Sequence, residues 1–204
     1  MAQMGRPRTF DRDQAITEAM HLFWEHGYDA TSLAQLKQGL GGGISAPSFY
    51  SAFGSKEALF QECVARYLST HGRVTAPLQD LALTPRDAIE TALRQSAAMQ
   101  SEPGHPRGCM VALGGMSAPS VGSVEVAHAL DASRARTRAG FVACVQRGIA
   151  SGELRADTSA MALATVFDSF LSGVSISARD GVPAVALQAA VSQIMRLWDE
   201  AVQH

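Results

Sequence analysis

Lysine is nearly missing from this 204-residue chain; Lys37 and Lys56 are the only two. With 17 basic and 19 acidic residues the formal charge is −2, so the chain as a whole has no basic excess to hold a polyanion. Alternating runs of β-branched residues are absent, which argues against a sheet. No uninterrupted apolar run reaches the ~18 residues of a membrane helix. The opening "MAQMGRPRTF" lacks the apolar core of a secretory leader. The three cysteines, Cys63, Cys109 and Cys144, are odd in number and widely spaced. That excludes a disulfide framework and fits free thiols in a reducing, cytoplasmic setting. There is no GxSxG, no phosphate loop following a strand and no credible carboxylate pair. Neither an enzymatic activity nor a cofactor is expected.

Helical spacing is present almost throughout, and 47 % of the residues are hydrophobic. The fold class this implies is all-α. Asp11 and Gln14 make a capping-box pattern before a first helix with Ala15, Ile16, Ala19, Leu22 and Phe23 on its apolar face, and Gly27 is placed to stop it. Ser32 and Gln35 make a second box, with Leu33, Leu36 and Leu40 on one face. Ser45 can cap a third, short helix that tolerates Pro47 in its first turn, and Ser55 a fourth carrying Leu59, Phe60, Cys63, Val64 and Tyr67. "TAPLQDLALTPRDA" then reads as a joint. Further helices are predicted over about 85–101, 106–117, 123–151, 158–179 and 183–202. This divides the chain into a small three-helix unit, 1–55, and a larger helical bundle, 56–204.

Three short helices with the third free to enter a groove is the logic of helix-turn-helix DNA binding. Ser45, Ala46, Pro47 and Ser48 open the third helix with short side chains that allow a close approach to base edges. Tyr50 offers a phenol, while Phe49 and Phe53 anchor the helix. Lys56 follows the Ser55 cap at a helix start, where free N–H groups and the dipole favour a phosphate. From Ala30 to Lys56 there is no Asp or Glu. Arg6 and Arg8 lie on an arm that could reach a neighbouring minor groove. Lys37 reads as a solvated helix face.

"AITEAMHLFWEHGYDATSLAQL" and "ISAPSFYSAFGSKEALFQECVARY" resemble the N-terminal domain of the TetR family of transcriptional regulators. The resemblance rests on Phe23, Gly27, Tyr28, Thr31, Ser32, Leu36, Tyr50, Phe53, Lys56, Leu59 and Phe60, and covers about the first third of the chain. It implies a homodimeric, ligand-responsive regulator, most often a repressor, with an effector pocket in the C-terminal bundle. It adds Thr31 and Ser32 to the expected DNA-binding set of Arg6, Arg8, Ser45, Ala46, Pro47, Ser48, Tyr50 and Lys56. One departure is the turn "GLGGGIS", longer than the family's. It reads as slack: removing Gly42 and Gly43 is expected to leave the fold intact and binding equal or tighter.

For the effector pocket the candidates are Met99, Cys109, Met110, Met116, Phe141, Phe167 and Phe170, with an apolar or aromatic ligand expected. The resemblance puts the dimer interface on the last two helices. Leu163, Phe167, Phe170, Val174, Leu187, Val191, Ile194 and Trp198 are its candidates. His105 and Cys109 do not make a metal pair, because Pro106 and Gly108 break the spacing between them. Cys109, at a helix start, is the candidate reactive thiol. The rival reading is a helical ligand-binding or redox-sensing protein whose DNA binding is weakened by the long turn.

Overall fold

The computed structural model describes residues 10–114 and 124–202. Among them there is no strand, only an isolated bridge between Leu154 and Val202. The helices are α1 (Arg12–His26), α2 (Leu33–Gly39), α3 (Ala46–Phe53) and α4 (Lys56–Ser69), then α5 (Pro85–Met99), α6 (Met110–Gly114), α7 (Val124–Ala150), α8 (Ala160–Arg179) and α9 (Ala184–Glu200). A 3-10 segment, His71–Gln79, follows α4.

The caps follow the local sequence. Ser32 and Gln35 close a full capping box on α2, and Ser45 and Ser55 cap α3 and α4. At α1 the box is half made: Asp11 accepts from the Gln14 N–H, but the Gln14 side chain turns to Glu18 at 2.9 Å. Two expectations are corrected. The stretch read as a joint begins inside the 3-10 segment, which carries Pro77 in its interior. The helix expected from 106 begins at Met110, because Gly108 holds a φ of 84° that no helix accommodates. Met116 lies outside the described residues.

Two cores form. The first joins α1–α4 through Phe23, Trp24, Leu36, Phe49, Phe60 and Tyr67, and extends to Met99, Met110 and Val111. The second packs α5, α7, α8 and α9 around Ile89, Phe141, Phe167, Val191 and Trp198. Between the two units Trp24 stacks on His105, with ring centroids 4.6 Å apart and an angle of 14°. His71 meets both rings edge-on, and α1 is also held by Arg179 of α8, which donates to the Glu25 carbonyl.

The second core takes up five of the residues expected at a dimer interface. Phe167, Val191 and Trp198 have no exposed surface even in the single chain, and Val174 and Leu187 keep only 4 % of theirs. A side chain already enclosed by its own subunit has no surface to offer a second one. Leu163, Phe170 and Ile194 are half-buried against the same core. The apolar surface left outside on these two helices is Met161, Val166 and Ile176 of α8 and Val185 and Leu197 of α9. By length and composition α8 is also apolar enough to cross a membrane, although no run in the sequence had suggested it. Its packing against α7 and α9 and the ion pair of Asp168 with Arg138 fit a helix of a folded bundle instead.

Candidate nucleic-acid interface

The turn between α2 and α3 sets the angle at which α3 is presented. Leu40 ends α2 in an extended conformation and Gly41, Gly42 and Gly43 follow with φ of 59°, 77° and 108°. Three positive values in succession describe a path that side-chain-bearing residues rarely take. The path is hydrogen-bonded: Gly43 N–H donates to the Leu40 carbonyl at 2.9 Å and Ile44 N–H to the Lys37 carbonyl at 2.8 Å. The end of the glycine run is therefore tied back to α2 by two backbone hydrogen bonds.

From this turn α3 leaves with one face inward. Phe49 and Phe53 are buried, and Leu40 closes beside them. On the opposite face Ser45, Pro47, Ser48, Tyr50 and Ser51 are exposed and Ala46 half-exposed. The Ser45 hydroxyl accepts from the Ser48 N–H at 3.2 Å and meets the Ser48 hydroxyl at 2.8 Å. That pair keeps both side chains short and low on the helix. Tyr50 retains 51 % of its surface, with its ring edge-on to Phe49.

Lys56 begins α4 beside this face. Its ammonium lies 4.2 Å from the centre of the Tyr28 ring, a cation–π contact that steers a flexible side chain. Partial burial there lowers its pKa from the ordinary lysine value, opposed by nearby Asp29. Ser32 is exposed at the start of α2 and spends its side chain on the cap. Thr31 is a correction: it is fully buried, and its hydroxyl donates to the Gly27 carbonyl at 2.6 Å. Its side chain braces the α1–α2 corner and is not free to contact a phosphate. Arg6 and Arg8 lie outside the described residues.

Of the expected pocket residues, Met99 and Cys109 line one partly open cavity of about 90 Å³. Met110 belongs to the first core, while Phe141 and Phe167 stack on each other in the second at 6.2 Å. Phe170 is half-buried against that second core. Cys109 accepts a hydrogen bond from the Tyr67 hydroxyl at 3.1 Å and is half-buried, whereas Cys63 and Cys144 are buried. Burial pushes both of those thiols up in pKa. Among the described residues no three His, Cys, Asp or Glu side chains gather as metal ligands. Sequence reasoning missed Ser96 and Gln100, which also line the cavity. Their signal was a polar pair four residues apart where the apolar stripe of α5 runs into its C-cap.

Comparison with known proteins agrees with this architecture. Residues 15–63 match the family described as bacterial regulatory proteins, tetR family. Residues 85–194 match the tetracyclin repressor-like C-terminal domain. The HTH-type transcriptional repressor ComR of Escherichia coli is 32 % identical over 203 residues, 98 % of this chain and 94 % of that protein. The repressor BdcR of the same organism is 39 % identical over 110 residues, 52 % of this chain and 53 % of BdcR. A solved structure of a cysteine-substituted TetR-family regulator, CifR, in complex with 26-base-pair operator DNA is 41 % identical. It superposes with a TM-score of 0.83 and covers 95 % of this chain and 100 % of that one. Helix-turn-helix geometry, an exposed polar face on α3 and near full-length similarity to ComR and CifR converge on one assignment: the chain belongs to the TetR family of transcriptional regulators.

Proposed function

We propose that the chain is a repressor that binds a palindromic operator as a homodimer and leaves it when a small molecule enters the C-terminal bundle. The observation that carries this reading is the exposed face of Ser45, Pro47, Ser48 and Tyr50 on α3, flanked by Lys56 and free of acidic residues. Residues 1–55 supply the reading head and 56–204 the sensing and pairing surfaces, with α4 belonging structurally to both. The two recognition helices are expected to meet successive major grooves about 34–36 Å apart, or a multiple of that. The pairing surface is the apolar face left outside on α8 and α9, where Met161 and Val185 keep 61 % and 76 % of their surface. Exposed apolar side chains on two helices packed together support an association surface there. Acting on DNA, the protein works in the cytoplasm.

The test is fluorescence anisotropy with the DNA upstream of the protein's own reading frame, against a scrambled duplex of equal length. The expected result is a saturable complex of two chains per duplex that survives competitor DNA. Equal affinity for both duplexes would sink the reading.

A further inference from the structure

We propose that the cavity between α4, α5, α7 and α8 takes a compact, neutral molecule. It would be held between Ser96 and Gln100 by one group that both donates and accepts hydrogen bonds, a hydroxyl or a primary amide. The inference deepens the effector reading and rests on it only for the cavity's regulatory role.

Two buried polar atoms point to this ligand. Ser96 is fully buried and Gln100 keeps 1 % of its surface, and both line the cavity. Neither the Ser96 Oγ nor the Gln100 Oε1 has a hydrogen-bond partner among the described residues. Four residues apart along one helix face, the two side chains are neighbours. The buried residues around them on α5 are Ala92, Leu93, Ala97 and Met99. An apolar stripe that holds two unsatisfied polar atoms spends stability that a pair of alanines would save.

Several other polar groups of the wall are already engaged. The Tyr67 hydroxyl donates to the Cys109 sulfur. Thr137 donates to the Ser133 carbonyl at 3.2 Å and Thr75 to the Gly72 carbonyl at 3.3 Å. The arginines are compensated as well: Arg138 pairs with Asp168 at 3.1 Å, and Arg134 with Asp131 and the Val111 carbonyl. With no uncompensated cation, a carboxylate or phosphate would enter at the cost of its hydration. The two buried atoms left without a partner among the described residues are the Gln100 Oε1 acceptor and the Ser96 hydroxyl, and a hydroxyl or primary amide satisfies both. Size sets the other limit. The cavity of about 90 Å³ is well below the roughly 300–1,000 Å³ of drug-sized sites. Met99, Val74 and Leu171 line it too and fit a short alkyl remainder.

The experiment titrates the intact, DNA-free protein by NMR or calorimetry with four probes of similar size: isobutyramide, isobutanol, 2-butanone and isobutyrate. The amide and the alcohol are expected to bind saturably. The ketone, which only accepts, and the carboxylate, which is charged, should bind about tenfold more weakly or worse. A Ser96→Ala/Gln100→Met variant should fold with an equal or higher Tm, since it removes two orphaned atoms, and should lose the discrimination. If that variant lacks the native helical CD spectrum, Ser96→Ala alone is read in the same way. Binding of none of the four, equal binding of all four, or discrimination that survives in the variant overturns the proposal. Operator release is measured separately. Discriminating binding without release leaves the site standing and removes its regulatory role. Release by an apolar compound, with no probe bound at Ser96 and Gln100, overturns the site and leaves the repressor reading intact.

Discussion

Glu18 of α1 accepts a hydrogen bond from the backbone N–H of Gly41 at 2.7 Å. A carboxylate from the first helix thus ties down the turn that aims the third. The Phe10 ring also lies against Gly41, 3.4 Å from where a β-carbon on it would stand. The long glycine turn is therefore a clamped element, and its three left-handed residues are what allow the clamp to form.

Replacing Gly43 isolates that backbone requirement. Nothing lies within 4 Å of a β-carbon built there, yet φ is 108°. Gly43→Ala should destabilise by about 1–2 kcal/mol, the cost of forcing an L-residue into left-handed space, as a lower urea midpoint with an unchanged m-value. Removing Gly42 and Gly43 together should weaken operator binding, because the remaining residues cannot reach both the Lys37 carbonyl and Glu18. This reverses the expectation of a slack turn. A deletion variant that binds equally well or better would restore it.

Lys56 is expected to act as one phosphate contact. Lys56→Ala should weaken operator and scrambled DNA alike and reduce the salt slope by about 1. Tyr28→Phe preserves the ring under the ammonium and should bind nearly as the native protein does. An unchanged salt slope in anisotropy titrations of Lys56→Ala would remove the role.

The three thiols should separate cleanly by reactivity. Cys63 donates to the Ile16 carbonyl at 3.5 Å and Cys144 to the Leu78 carbonyl at 3.4 Å, both in closed cores. In the native protein iodoacetamide should modify Cys109 alone, with one mass increment by intact-protein mass spectrometry and none in Cys109→Ser. Two or three rapid increments would show that the cores open readily. If Cys109→Ser is still displaced from the operator by every oxidant that displaces the native protein, Cys109 is no sensor.

Stability should fall on the acid side of neutrality. Burial, followed by repulsion from His105, lowers the pKa of both His21 and His71; His21 adds to the second shift and Glu102 opposes it. Unfolded histidine titrates near about 6.5, so in the window below that value the unfolded chain binds more protons than the folded one. By linkage the contribution is fully present above about pH 6.5 and is lost as pH drops through the folded values. Calorimetry from pH 7.5 to 5 should show Tm falling, and a His21→Gln/His71→Gln variant should have a flatter profile. An equally steep profile in that variant would assign the acid sensitivity elsewhere.

A charge on the outer face of α8 should split the proposed dimer without unfolding the chain. Val166 and Ile176 keep 39 % and 43 % of their surface in the single subunit, so Val166→Glu or Ile176→Glu buries no charge in the monomer. In the dimer it would, and removing an unpaired charge from water is costly. Sedimentation should show a folded monomer. A variant that remains dimeric would move the interface away from this face.

What the sequence disclosed was local. Ser32, Ser45 and Ser55 announce their helices because a cap bonds to an N–H three residues on, and Phe49 and Phe53 declare the buried side of α3 by spacing alone. Contacts between distant segments were not legible. Glu18 and Gly41 are 23 residues apart, and nothing in either one's neighbours points to the other. The outward face of α8 was hard to tell from its inward one because this helix is apolar on both sides. Phe167 and Val174 satisfy its own core, and Met161, Val166 and Ile176 are left over. Thr31 was misread for another reason: a polar residue beside a helix start is as often a brace as a contact, and only its burial decides.

The stacked rings of Trp24 and His105 give the molecule an optical gauge of its own. The chain has two tryptophans. Trp198 sits in the second core with its Nε1–H on Glu153 at 2.9 Å, remote from the joint between the units. In a Trp198→Phe background all indole emission would therefore arise at that joint. Any event that pulls the loop carrying His105 off α1 exchanges an imidazole neighbour for water and shifts the emission to the red, in real time and without an attached dye.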